Sequence, residues 1–128
     1  AEGVQMGSRF VACEEASSHE AFKKLVVDAQ EGDTVLTMKQ LTPVRLIRNT
    51  FYHQVQEAEQ RGASPEELKN LLGRGRAKKG MFEGNLEEGE LEIGQVSALV
   101  DRILPAADIV KKVWEEFTEG LANPIRMT

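Results

Sequence analysis

Strand-like alternation opens the chain, and helical spacing takes over afterwards. Val4, Met6 and Phe10 fall on one face of an extended segment, so Val4–Val11 is read as a short strand that breaks at Gly7. Ser17-Ser18-His19-Glu20 then offers hydroxyl caps, and Ala21, Phe22, Leu25, Val26 and Ala29 form an apolar stripe. That pattern predicts a helix over 19–29, closed by Glu31-Gly32-Asp33. Thr34-Val35-Leu36-Thr37-Met38 is dense in β-branched residues and is the second predicted strand. Pro43 suits a first helical turn, and Leu46, Ile47, Phe51, Val55 and Ala58 follow at helical spacing. A long helix is therefore expected from Thr42-Pro43 to a stop at Gly62. Ser64-Pro65-Glu66-Glu67 is a capping-box pattern whose helix runs to about Leu72. A further helical turn or two is expected over 76–82, and the acidic, glycine-bounded stretch 83–90 reads as a loop. A helix over 93–104 would carry Ile93, Val96, Val100, Ile103 and Leu104. The last helix starts at Pro105, with Ile109, Val110, Val113, Trp114 and Phe117 as its buried stripe, and ends at Gly120 and Asn123-Pro124.

The predicted set is mostly α-helical with two short strands. Two strands alone rarely make a stable sheet, so they either pair inside a helical domain or belong to a larger sheet. The chain also enters its apolar alternation within the first few residues, with no leading turn or cap, which leads us to expect more protein ahead of Ala1. The length of 128 residues suffices for one modest core. A net charge of −5 argues against a nucleic-acid partner, whose binding domains are usually basic. No run reaches the roughly 18 apolar residues of a membrane span, and no signal-peptide pattern is visible. Cys13 is the single cysteine, which rules out an internal disulfide and fits a reducing cytoplasm.

Chemistry concentrates at Gly3-Val4-Gln5-Met6-Gly7-Ser8-Arg9-Phe10. Gly7 has no Cβ, so the backbone there can approach a bulky anion, and successive N–H groups with the Ser8 hydroxyl could hold one. An ordinary strand and turn is the plainer reading of the same residues. His19 reads as a solvated first-turn residue, His53 as partly packed beside Phe51 and Tyr52, and Cys13 as a small buried side chain. Arg74, Arg76, Lys78 and Lys79 form a basic run whose default reading is a solvated helix face. Contact with a dinucleotide phosphate or an acyl-carrier partner is the sharper one. Trp114 and Phe117 read as core.

The opening segment resembles the eighth barrel strand of the nitronate monooxygenase family, formerly the 2-nitropropane dioxygenases, which includes the type II enoyl-acyl-carrier-protein reductases. Members typically have Thr where this chain has Ser8, and the hydroxyl is kept. A second block, Asp33-Thr34 through Thr42-Pro43-Val44-Arg45-Leu46-Ile47-Arg48-Asn49, is similar to a family strand followed by a helix with an Arg-x-x-x-Asn turn. A third runs from Gly84-Asn85 to Gly94-Gln95, where Gly84, Gly89, Gly94 and Gln95 match, Asn85 replaces Asp, and Glu90 replaces the usual Ser. The three blocks span residues 3–104.

The resemblance implies the C-terminal fragment of an FMN-binding (β/α)8 TIM barrel. On that reading residues 1–42 hold the last barrel strand, the following helix and a short strand. Residues 43–82 form a helical excursion over the flavin, and 83–128 hold the active-site loop and C-terminal helices. Gln5, Met6, Gly7 and Ser8 would contact the FMN phosphate, while Glu90, Gly94 and Gln95 would lie near flavin and substrate. The family's catalytic histidine lies upstream of this region, and neither His19 nor His53 matches it. A full barrel takes about 250 residues, so this chain by itself is expected neither to hold FMN tightly nor to catalyse. The implied activity is oxidation of alkyl nitronates. The alternatives are NAD(P)H-dependent reduction of enoyl thioesters and, outside enzymology, a helical interaction module. Partners expected with it are a small-molecule substrate, the missing N-terminal barrel portion and a second copy in a homodimer, with no metal, nucleic acid or membrane.

Overall fold

Thr34–Thr37 and Val44–Ile47 carry β-branched and aliphatic side chains that suit a pleated, half-buried surface. In the computed structural model, which describes residues 2–123, they form strands β1 and β2. The two pair antiparallel, with Thr34 opposite Ile47 and Thr37 opposite Val44. Residues 91–93 run along the outer side of β2: Ile47 N–H donates to the Leu91 carbonyl at 3.0 Å and Ile93 N–H to the Arg45 carbonyl at 3.2 Å. The long helix expected from Thr42-Pro43 is corrected here. Helix α3 spans Thr50–Gln60 only, because Asn49 is extended and its Oδ1 accepts the Tyr52 N–H at 2.9 Å, which sets the helix start. Leu46 and Ile47 fall at helical spacing from Phe51 by coincidence and enter the core from a strand.

The expected strand at Val4–Val11 is also corrected. Residues 2–6 are exposed and carry no strand pairing among the described residues, and Ser8–Val11 is a single helical turn, α1. An extended segment becomes a strand only when a neighbour takes up its N–H and C=O groups. Helix α2, Glu20–Asp28, follows its predicted stripe, with Phe22 and Val26 buried and the His19 ring nitrogen accepting the Ala21 N–H at 3.1 Å. Helix α4, Pro65–Leu72, has both halves of the capping box, Ser64 Oγ with Glu67 N–H and Glu67 Oε2 with Ser64 N–H. Lys78–Phe82 is one π-helical turn.

The helix predicted over 93–104 shrinks to a 3₁₀ turn, Gln95–Leu99. Gly94 and Val100 are extended on either side of it, and Ile93 is held in the pairing with β2. Helix α5, Ala106–Ala122, starts as expected, capped by the Glu15 carboxylate on Ala106 N–H at 2.8 Å. That bond holds the Glu15 carboxyl below its ordinary range. The buried stripe assigned to α5 is corrected: Ile109 is its one buried residue, while Val110, Trp114 and Phe117 are exposed, Trp114 by 64% and Phe117 by 51%. Pro124, named as part of the helix end, lies outside the described residues.

The main core joins Ala12, Phe22, Val26, Ile47, Leu91, Ile93 and Val100. It packs α2 and the 91–93 segment against β2. A second cluster, Met38, Leu46, Phe51 and Val55, seats α3 on the other side of the hairpin. The segment from Gly84 to Gly94 packs Leu86, Leu91 and Ile93 into the main core.

Candidate functional site

Asn49 does more than cap α3. Its Nδ2 donates to the carbonyls of Leu86 and Gly89, each at 2.8 Å, so one side chain ties the 84–90 loop to the end of β2. Arg45, four residues earlier, donates to the Thr34 carbonyl and hydroxyl at 3.1 and 3.2 Å and fastens β2 to β1. The Arg-x-x-x-Asn spacing thus has a physical reason: the arginine fixes the strand and the asparagine fixes the loop beside its end. Within the loop, Asn85 Oδ1 accepts the Glu88 N–H at 3.0 Å. At Gly89 the chain passes directly over the Gly80 backbone, and any Cβ there would collide with it.

The first and third motif blocks meet at Ser8 and Gly94. Gly94 N–H donates to Ser8 Oγ at 3.0 Å, and a Cβ at Gly94 would stand 2.7 Å from that oxygen. Gly7, Ser8 and Gly94 share a shallow hollow of about 440 Å³, closed on its other sides by Val44, Arg45 and Glu92. Nothing approaches within 4 Å of the place a Gly7 Cβ would occupy. Of the other candidates, Gln5 and Gln95 are exposed outside this hollow. Met6 turns to a different one, beside Trp114 and Phe117. Glu92 is an addition that residue type and spacing did not single out, and Arg45, quoted only as part of the Arg-x-x-x-Asn turn, joins the hollow as well.

Glu90 lines a second cleft, of about 730 Å³, with Met38, Leu41, Val44, Lys69 and Glu92. Only 9% of the residue is exposed, and its carboxylate, whose oxygens still reach the cleft, has no protein hydrogen-bond partner among the described residues. Burial, reinforced by the nearby Glu92 carboxylate, pushes its pKa up to about 7, against a weaker opposing pull from Arg76. Glu92 lines both hollows and joins them.

The basic run resolves into separate roles. Arg76 is corrected from a solvated residue to a staple: its guanidinium donates to the carbonyls of Leu71, Leu72 and Glu88 and lies 4.5 Å over the Phe51 ring. Lys78 pairs with Glu83 and Lys79 with Glu88, while Arg74 is exposed. His19 is exposed, as expected. His53 is exposed as well, in edge contact with Tyr52, rather than partly packed. Cys13 is buried. Among the described residues, no helix is long and apolar enough to cross a membrane.

Residues 1–116 match the family described as nitronate monooxygenase. The chain belongs to the nitronate monooxygenase family. It is 31% identical over 105 residues to a probable nitronate monooxygenase of Staphylococcus saprophyticus, covering 80% of this chain and 29% of that protein. A probable nitronate monooxygenase of Bacillus subtilis is 30% identical over 105 residues, 80% of this chain and 30% of its own. Among solved structures, FabK from Thermotoga maritima superposes with a TM-score of 0.86 at 36% identity, over 95% of this chain and 39% of that one. A single-site variant of the same protein gives a TM-score of 0.80 at 34% identity, over 95% of this chain and 36% of that one. The chain thus spans about three tenths of the length of these curated relatives. Among the described residues its own fold is mostly helical with one two-stranded sheet.

Proposed function

We propose that this chain is the C-terminal segment of an FMN-dependent (β/α)8-barrel oxidoreductase that oxidises alkyl nitronates. The observation that carries the reading is the Ser8–Gly94 hydrogen bond, which draws two family motifs, 86 residues apart, to one open hollow. The residues present fit the phosphate end of a flavin mononucleotide. Gly7 leaves its surface clear, and Ser8 Oγ, already accepting from Gly94, keeps its own O–H free to donate to an anionic oxygen. Arg45 and Glu92, of opposite charge, both line the same hollow. When bound, FMN supplies the redox chemistry; the protein orients it and sets its surroundings.

In this reading Gly7 and Ser8 face the phosphate, Gln5 and Met6 join them once residues 2–6 pair with the remaining barrel strands, and Gly94 and Gln95 follow the flavin edge. Glu90 stands nearer the substrate and holds a proton below neutral pH. Residues 1–42 supply the last barrel strand with the helix and short strand after it. Residues 43–82, helical from Thr50 onward, cover the flavin, and 83–128 bring the loop and the last helices. Residues 2–6, exposed here, become a true strand beside the remaining barrel strands. The catalytic histidine belongs to that remainder. The whole enzyme is expected to be cytoplasmic and homodimeric.

The test is direct comparison, with the full-length protein, of nitronate oxidation against NAD(P)H-dependent enoyl-thioester reduction. Nitronate oxidation is expected. Preference for the enoyl thioester would move the protein to the reductase branch, and inactivity toward both would sink the reading.

A further inference from the structure

Glu90 is mostly buried as a residue, while its carboxylate oxygens open into a cleft and have no protein hydrogen-bond partner among the described residues. An ionised carboxylate left in that state is costly, and a ligand that pairs with it removes the cost. The cleft's character says which ligand. Met38, Leu41, Pro43, Val44 and Leu72 make its walls apolar, and they suit a short hydrocarbon rather than a sugar or nucleotide. The charged lining is Glu90 and Glu92 from the 91–93 side and Lys69 from α4, while the β1–β2 turn contributes only neutral groups there. Two carboxylates against one ammonium leave the cleft net negative once both acids are ionised. Arg76 attracts Glu90 only at range, since its guanidinium donates to three backbone carbonyls instead.

We propose that the Glu90 cleft binds a small apolar molecule bearing a cationic nitrogen, with the alkyl part against Leu41, Val44 and Leu72 and the ammonium on the Glu90 carboxylate. The proposal goes beyond the flavin reading and stands without it. Its ligand pairs best with ionised Glu90, so affinity rises with pH as that carboxyl loses its proton, and by linkage the bound cation lowers the pH at which it does so.

Hexylammonium and hexanoate, titrated into the 128-residue chain by calorimetry, test it. Hexylammonium is expected to bind at pH 8 and about tenfold more weakly at pH 6, the ratio of ionised Glu90 when its midpoint lies near 7. Hexanoate is expected not to bind at pH 8, where ionised Glu90 repels it. Glu90→Gln should weaken hexylammonium about tenfold at pH 8 and flatten the pH dependence. Equal binding of both probes, pH-independent binding, or an unchanged Glu90→Gln variant would each overturn the proposal. A measurement on the unaltered chain guards against a variant that fails to fold. The Glu90 carboxyl carbon, followed by NMR, should titrate at lower pH with hexylammonium present, and an unmoved midpoint also overturns it. Flavin retention by the full-length protein is a separate readout, so failure here leaves that reading standing.

Discussion

Ser8 and Glu90 show how far residue identity alone reaches. The Ser8 hydroxyl and the absence of a side chain at Gly94 could each be read from the chain, but the 3.0 Å bond between them joins positions that nothing local connects. Ser8→Ala should destabilise the chain by about 1 kcal/mol, the usual net worth of one hydrogen bond, while Ser8→Thr keeps the oxygen and most of the stability. Denaturant midpoints of the two variants separate these outcomes. The substitution of Glu for the usual Ser at position 90 was also legible, but its burial was not, because it follows from the packing of α4 and the hairpin around it. The consequence has a sign. The Glu90 carboxyl titrates near 7 in the fold against an ordinary value of 4.5, so the folded state binds the proton more tightly. Its contribution to stability is full below pH 4.5 and is lost as pH rises through about 7. Glu90→Gln should therefore leave stability at pH 4.5 nearly unchanged and raise it at pH 8 by on the order of 2 kcal/mol. Chemical denaturation at the two pH values checks this; a variant that loses stability at pH 8 would contradict it.

At the scale of elements, α4 was legible because periodicity and cap agreed, with Ser64 and Glu67 forming both bonds of the capping box; α2 was legible from its stripe alone, since the His19 ring caps it in place of the expected serine hydroxyl, and Ser18 Oγ donates to the Val11 carbonyl. Strand β2 was not. Four residues, Val44–Ile47, offer too short a run for period to decide, and their spacing to Phe51 mimicked a helix. The signal that could have decided it was Asn49, a good N-cap placed just before Thr50. That same residue bridges to Leu86 and Gly89, so Asn49→Ala removes a cap and two hydrogen bonds at once. A loss of about 2–4 kcal/mol is expected, and Asn49→Asp should recover only the capping part. Amide exchange should speed up in 86–90 in both variants. Protection retained there would mean the loop is held by something else.

For the molecule as a whole, the sequence marked α5 as amphipathic but could not say what its apolar stripe meets. In this chain the stripe faces outward, together with Val4 and Met6. Phe117→Ala should then cost within about 0.5 kcal/mol, as surface changes do, whereas Phe22→Ala in the main core should cost about 3–5 kcal/mol. Thermal unfolding of both variants distinguishes an exposed stripe from a buried one. The proposed barrel reading expects this outward face and the absence of strand pairing at residues 2–6 among the described residues, and the chain covers only 29–30% of the curated relatives. The most direct test is the flavin content of the purified 128-residue chain beside that of the protein at the relatives' full length. The proposal predicts close to one FMN per full-length chain and almost none on the 128-residue chain. A colourless full-length protein, or stoichiometric flavin on the 128 residues alone, would contradict it.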